Sequence, residues 1–177
     1  MFSKLSIVCG LCFWLTIVSA AVNLAQIVSS NEDLQEQSTN ADTDVNDVTM
    51  LNGLENAPKV TQDLAGINSA MKIVVANAEQ VTPTSDAGDE SSVTSSFSSF
   101  SDALTKLMND LISQETTLAL FFQKEWIHGN LTLLEDSYNT YSSALQGIIT
   151  DESYVESIDE STGGALGQIG SAVSAYA

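Results

Sequence analysis

Chemistry in this chain would have to come from few residues. It has a single histidine, His128, two cysteines, Cys9 and Cys12, no arginine, and five lysines (Lys4, Lys59, Lys72, Lys106, Lys124) against 23 acidic residues in 177, a formal charge of −18. A Ser-His-Asp triad would have to use His128, but no strained nucleophile turn of the G-x-S-x-G kind lies near it. A histidine beside Gly129 reads instead as a cap on free helix carbonyls. The carboxylate pairs Glu135/Asp136 and Asp151/Glu152 offer glycosidase chemistry only if two carboxyls face each other across a sugar cleft. On helices of a chain this acidic they read as solvated surface. Asp42-Thr43-Asp44-Val45-Asn46 begins like a calcium loop, but Asp47 replaces the sixth-position glycine and Gly53 the twelfth-position glutamate. The expectation is therefore no enzyme, no catalytic residue, no cofactor and no metal. Without arginine and with this charge, the chain has no footprint for nucleic acid.

The apolar inventory is more informative. Phe97, Phe100, Phe121, Phe122, Trp126, Leu134, Tyr138 and Tyr141 fall on neighbouring segments and converge if those segments pack together. Two readings stay open: an ordinary core, or the lining of an apolar cavity or exposed face that takes a lipid tail or a hydrophobic surface. Adjacent Phe121 and Phe122 cannot both point fully inward on one helix, so some exposure is expected. A fatty-acid carboxylate would need a donor, for which Lys106, Lys124, Tyr138 and Tyr141 are the candidates. Asn130-Leu131-Thr132 is a glycosylation sequon expected in a turn.

These residues must be positioned by helices, because no strand pattern occurs. Residues 1–20, with Lys4, an apolar run from Leu5 to Val18 and the small-residue site Val18-Ser19-Ala20, read as a secretory signal peptide cleaved near Ala20/Ala21. A signal anchor is the competing reading, against which Asn23 and Gln26 interrupt the apolar run. Cleavage would remove both cysteines and any disulfide with them. Residues 21–57 are rich in acids and small polar side chains and read as a solvated, disordered leader. From Pro58, Val60, Leu64, Ile67, Met71 and Val74 step at helical spacing to a loop at Thr82–Asp89. A second stripe runs from Val93 through Phe97, Phe100, Leu104, Leu107 and Leu111 to Trp126. It is long enough that a break is expected, either at Ser95–Ser101 or at Ser113–Thr117, where helix propensity is low. After His128-Gly129-Asn130 comes the stripe Leu131, Leu134, Tyr138, Tyr141, Leu145, Ile148. A short helix at 151–160 and a small-residue helix after Gly163-Gly164 complete the chain. Residues 58–177 thus predict an all-α, antiparallel bundle of four to five helices, preferred to a coiled coil because no consistent charges flank the stripes.

The first helix of the form V-x-x-D-L-x-x-I-x-x-A (Val60, Asp63, Leu64, Ile67, Ala70) is the first of four matching features. The others are Leu120-Phe121-Phe122-Gln123-Lys124 before Gly129, the following L-x-x-L-x-x-x-Y helix, and the ending Ala172-Val173-Ser174-Ala175-Tyr176-Ala177. Together they resemble the fungal hydrophobic surface-binding protein A and cell-wall galactomannoprotein family over residues 58–177. The resemblance implies a secreted helical protein of the cell wall or medium that binds fatty acids or other lipids in an apolar cavity, or adsorbs to hydrophobic surfaces. It implies no catalytic residues. The alternative is a non-catalytic structural or host-interface glycoprotein of the wall, with cell-wall polysaccharide as a partner and the acidic surface as its working part. Neither reading places the chain as an integral membrane protein, and the negative charge opposes anionic membranes while leaving apolar ligands reachable.

Overall fold

A computed structural model describes residues 23–177, so the signal-peptide reading of residues 1–20, with Cys9 and Cys12, lies outside the described residues. Five helices account for nearly all of them: α1 (Leu24–Asp47), α2 (Gly53–Ala78), α3 (Ala87–Leu120), α4 (Lys124–Ile148) and α5 (Glu152–Tyr176). The all-α expectation holds. Among the described residues no helix is long and apolar enough to cross a membrane.

Consecutive helices run antiparallel, and the hydrogen bonds between them define two layers. Asn31 to Ser96 and Asn46 to Asp110 set α1 alongside α3, while Ser161 to Ser98 and Tyr176 to Leu111 set α5 on the other side of α3, all three parallel. Asn68 to Asn130 and Thr61 to Gln123 pair α2 with α4 in the second layer. The layers close at their edges, α1 on α2 and α4 on α5, whereas the backbone of α3 approaches α2 and α4 only marginally. Large side chains must therefore span the space between central α3 and the opposite layer.

The expected disordered leader is instead α1. Ile27, Asn31, Leu34, Ser38, Ala41 and Val45 are all buried, the same alternation of four and three residues as in the other helices. Two of these six positions are polar, which hides the stripe from a hydrophobicity reading. Asn31 hydrogen bonds in the interior, and Ser38 returns its hydroxyl to Leu34 O at 2.8 Å. A capping box starts the helix, with Asn23 Oδ1 accepting from Gln26 N at 2.9 Å and Gln26 Oε1 from Asn23 N at 3.3 Å. The calcium-like run lies within α1, where Asp42 is paired with Lys106.

Helix α2 starts at Gly53, five residues before the expected start, so Pro58 lies inside it rather than in its first turn. The proline removes a donor to the carbonyl of Leu54, a residue at the exposed end of the bundle. Gly53 is required by packing: a Cβ there would lie 1.9 Å from the Phe121 ring.

Helix α3 continues through both proposed breaks. Its serines bond back along the helix, Ser92 to Gly88 O, Ser99 to Ser95 O and Ser101 to Phe97 O, while Phe97 and Phe100 anchor the stretch inside. Asp86 caps its start by accepting from Gly88 N and Asp89 N. The break falls at Phe121-Phe122-Gln123, where Phe122 takes a left-handed φ of 60°. His128, Gly129 and Asn130 are consequently inside α4 rather than ending a helix, and α5 runs unbroken through Gly163-Gly164.

Candidate functional site

The space between α3 and the α2–α4 layer is filled by aromatic rings. Phe97 stacks on Tyr138 with centroids 5.6 Å apart, meets Tyr141 edge-on at 5.8 Å and meets Phe100 at 6.4 Å; Phe100 lies 5.9 Å from Tyr138. All four are fully buried, as is Leu134 one turn away on α4. These five of the eight proposed ligand residues thus form one interior cluster. Such ring pairs contribute about 0.5–1.5 kcal/mol each beyond the area they bury.

A set of hydroxyls and one amide is embedded among the rings. Tyr141 donates to Asn31 Oδ1 at 2.6 Å, and Asn31 Nδ2 donates to Ser96 Oγ at 2.9 Å. Ser101 gives its proton to Phe97 O at 2.8 Å, leaving its oxygen to accept from the Tyr138 hydroxyl at 2.6 Å. Ser142 and Thr162 pair at 2.6 Å on the α5 side. Burial pushes both tyrosine hydroxyls well above their ordinary titration range, so they are neutral donors at any physiological pH. Asn31, Ser101 and Thr162 escaped the sequence reading because isolated polar residues carry no periodic signal. Their one trace in the sequence is that each falls at an inward position of its helix stripe.

The remaining candidates go elsewhere. Phe121 is half-buried against Gly53, while Phe122 is 86% and Trp126 68% exposed. They belong to an apolar pole at one end of the bundle. There the α1–α2 and α3–α4 turns meet, and Met50, Leu51, Leu54 and Leu120 are exposed as well. A recess of about 470 Å³ between Ala119, Phe122, Lys124 and Tyr176 opens at this end. Neither lysine reaches the aromatic cluster: Lys106, itself exposed, pairs with buried Asp42 and with Asp110, and Lys124 pairs with Glu115 at 3.4 Å. That leaves Tyr138 and Tyr141 as the interior donors.

Asn130 is not in a turn. It lies in α4 with Nδ2 donating to Trp126 O at 3.0 Å, and its carbonyl groups accept from Asn68. His128 places Nδ1 3.2 Å from Val173 O, joining α4 to α5 instead of capping a helix end. Among the described residues no three His, Cys, Asp or Glu side chains converge on a metal position.

No family model and no curated protein sequence matches the chain. Solved structures do. The chain superposes on AfMP4p in complex with palmitic acid with a TM-score of 0.80, at 18% identity, over 87% of this chain and 99% of that one. Ligand-binding domain 1 of the Penicillium marneffei MP1 protein, complexed with arachidonic acids, gives a TM-score of 0.77 at 12% identity, over 89% and 99% of the two chains. Domain 2 of the same protein, complexed with multiple arachidonic acids, gives 0.75 at 13%, over 84% and 92%. At these identities the likeness shows the fold: the chain shares the helical bundle of fungal proteins solved with fatty acids.

Proposed function

We propose that this protein binds a fatty acid or another single-chain lipid between its two helical layers, as a secreted component of a fungal cell wall or its medium. The observation that carries the reading is the aromatic interior. Four rings, rather than close helix-to-helix contact, fill the space between α3 and α4, and neutral hydroxyl donors lie among them. The likeness to bundles solved with palmitic and arachidonic acids supports it, as does the resemblance of residues 58–177 to the hydrophobic surface-binding and galactomannoprotein family. In this reading the rings part to admit an acyl chain, whose methylenes gain about 0.8 kcal/mol each on burial. The Tyr138 hydroxyl then turns from Ser101 to the carboxylate. Titration with palmitate, followed by displacement of a fluorescent fatty acid, tests this. Saturable one-to-one displacement is expected, and a linear, non-saturating signal would refute it.

The apolar pole favours a second activity, adsorption to hydrophobic surfaces. Met50, Leu51, Leu54, Leu120, Phe122 and Trp126 together expose more apolar area than scattered surface residues would. Their acidic surroundings suit an uncharged surface better than an anionic membrane. Retention on apolar beads that disappears on Phe122→Ser/Trp126→Ser substitution would support this; unchanged retention would remove the pole from the role.

A further inference from the structure

We propose that an acyl chain reaches the aromatic interior through the seam between α3 and α5, and that the glycine-rich middle of α5 is the part that yields. The inference rests on the lipid-binding reading above. Outside the seam is a groove of about 470 Å³ between Ser98, Asp102 and Thr105 of α3 and Glu160 and Gly164 of α5, with Ser101 at its base. Ser101 is buried and bonded to Tyr138, so a single side chain separates the groove from the ring cluster.

Helix α5 is fastened at both ends. Buried Glu90 of α3 accepts from Thr150 N at 2.5 Å and Asp151 N at 3.2 Å just before the helix starts. At the other end Tyr176 donates to Leu111 O at 2.8 Å. The middle is held differently on its two sides. Towards α4, Thr162 bonds Ser142 and Asp159 accepts from Gln146, both within 2.6 Å. Towards α3, Gln168 Nε2 donates to Asn109 Oδ1 at 2.6 Å at the C-terminal edge of the glycine-rich stretch, but before it the hydroxyls of Ser161 and Ser98 meet only at 3.4 Å. Between Ile158 and Ile169 the buried side chains are the small Thr162 and Ala165, and Leu166 is only half-buried against the core, so this stretch loses less apolar contact than the isoleucine-bearing positions on either side if it bows away from α3.

Gly163, Gly164 and Gly167 fall within this segment. None has a positive φ, and a Cβ on any of them would meet nothing within 4 Å. Neither backbone conformation nor packing calls for glycine there. Its physical effect is to weaken the helix. Fixed ends, a hinge towards α4 and a weak middle make α5 a door opening on the α3 side. Asp102 and Glu160 at its rim repel a carboxylate, so the tail enters first and the headgroup arrives last, at Ser101 and Tyr138.

The test uses the full chain with Cys9 and Cys12 replaced by serine in every form, parent included. The Ser98→Cys/Ser161→Cys variant has side-chain positions close enough to bridge. Stopped-flow uptake of palmitate should be at least about tenfold slower when it is oxidised and should match the parent when it is reduced. Equal uptake by oxidised and reduced Ser98→Cys/Ser161→Cys overturns the door while leaving lipid binding intact, whereas no uptake by the parent overturns lipid binding and the route with it. Independently of ligand, Gly163→Ala, Gly164→Ala and Gly167→Ala should each slow amide exchange at 159–168 about two- to fivefold. Exchange there no faster than at 152–157 in the parent would also overturn the proposal.

Discussion

Tyr138 and Tyr141 look equivalent in the sequence, and the structure makes them different. In Tyr141→Phe, Asn31 Oδ1 loses its donor in a position with no solvent access, and an orphaned buried acceptor costs about 1–3 kcal/mol. In Tyr138→Phe, Ser101 keeps its bond to Phe97 O and merely accepts one proton fewer, a loss of about 0.5–1 kcal/mol. At about 3 °C per kcal/mol for a chain of this size, Tm should fall by about 3–9 °C in the first case and about 2 °C in the second. Ligand preference should invert the order. The Tyr138 hydroxyl can be lent to a carboxylate without orphaning Ser101, so its loss should weaken palmitate by about tenfold, the value of one hydrogen bond to a charged group. Binding of hexadecanol should be unchanged. Tyr141→Phe should alter the palmitate-to-hexadecanol ratio by less than about threefold, because its hydroxyl stays with Asn31. Thermal melts and displacement titrations on both variants measure the two quantities. Equal melting losses would refute the satisfaction argument, and an unchanged ratio in Tyr138→Phe would refute the anchoring role.

Burial, reinforced by the neighbouring Asp44 carboxylate, raises the Asp63 carboxyl to about 6. The folded state therefore binds this proton more tightly than an unfolded aspartate at about 3.9. Its stabilising contribution is complete below about pH 4 and is lost as pH rises through 6, by about 1 kcal/mol after discounting for its partial exposure. Urea melts between pH 4.5 and 7.5 should show Asp63→Asn with a flatter pH dependence than the parent; parallel curves would remove Asp63 as the cause. Leu34→Ala should cost about 2–5 kcal/mol in the same melts, as for a core leucine, whereas a disordered leader would show no change. Gly53→Ala should destabilise by about 1–3 kcal/mol because its Cβ would enter the Phe121 ring position, and restoration by Phe121→Ala in the double variant would confirm that the ring is the obstacle.

Much of the fold was legible because most helices carry a mostly apolar stripe: Val60 to Val74, Val93 to Leu111 and Leu131 to Ile148 all proved to be inward faces. Helix α1 was missed because Asn31 and Ser38 occupy positions where apolar residues would have advertised it, and those same polar positions hold the interior hydrogen bonds. Helix ends were misplaced where local propensity was weighed without tertiary support. Serines that weaken an isolated helix are tolerated in α3 because the hydroxyls of Ser92, Ser96, Ser99 and Ser101 each find a carbonyl one turn back, and Gly163-Gly164 does not end α5 because both ends of that helix are tied to neighbours. The site divided in a way that composition could not show. Phe97, Phe100, Leu134, Tyr138 and Tyr141 share the interior, while the left-handed backbone at Phe122 sends the chain outward and, with Trp126, builds the pole.

If an acyl chain occupies the space between the layers, the protein must carry its mass. Native mass spectrometry of the purified protein, repeated after incubation with palmitate, measures that mass. The expected result is a discrete additional mass equal to one fatty acid, retained under gentle activation and less populated in Tyr138→Phe. A protein that carries only its own mass before and after incubation would contradict it, leaving the rings as an ordinary core and the exposed pole as the working surface.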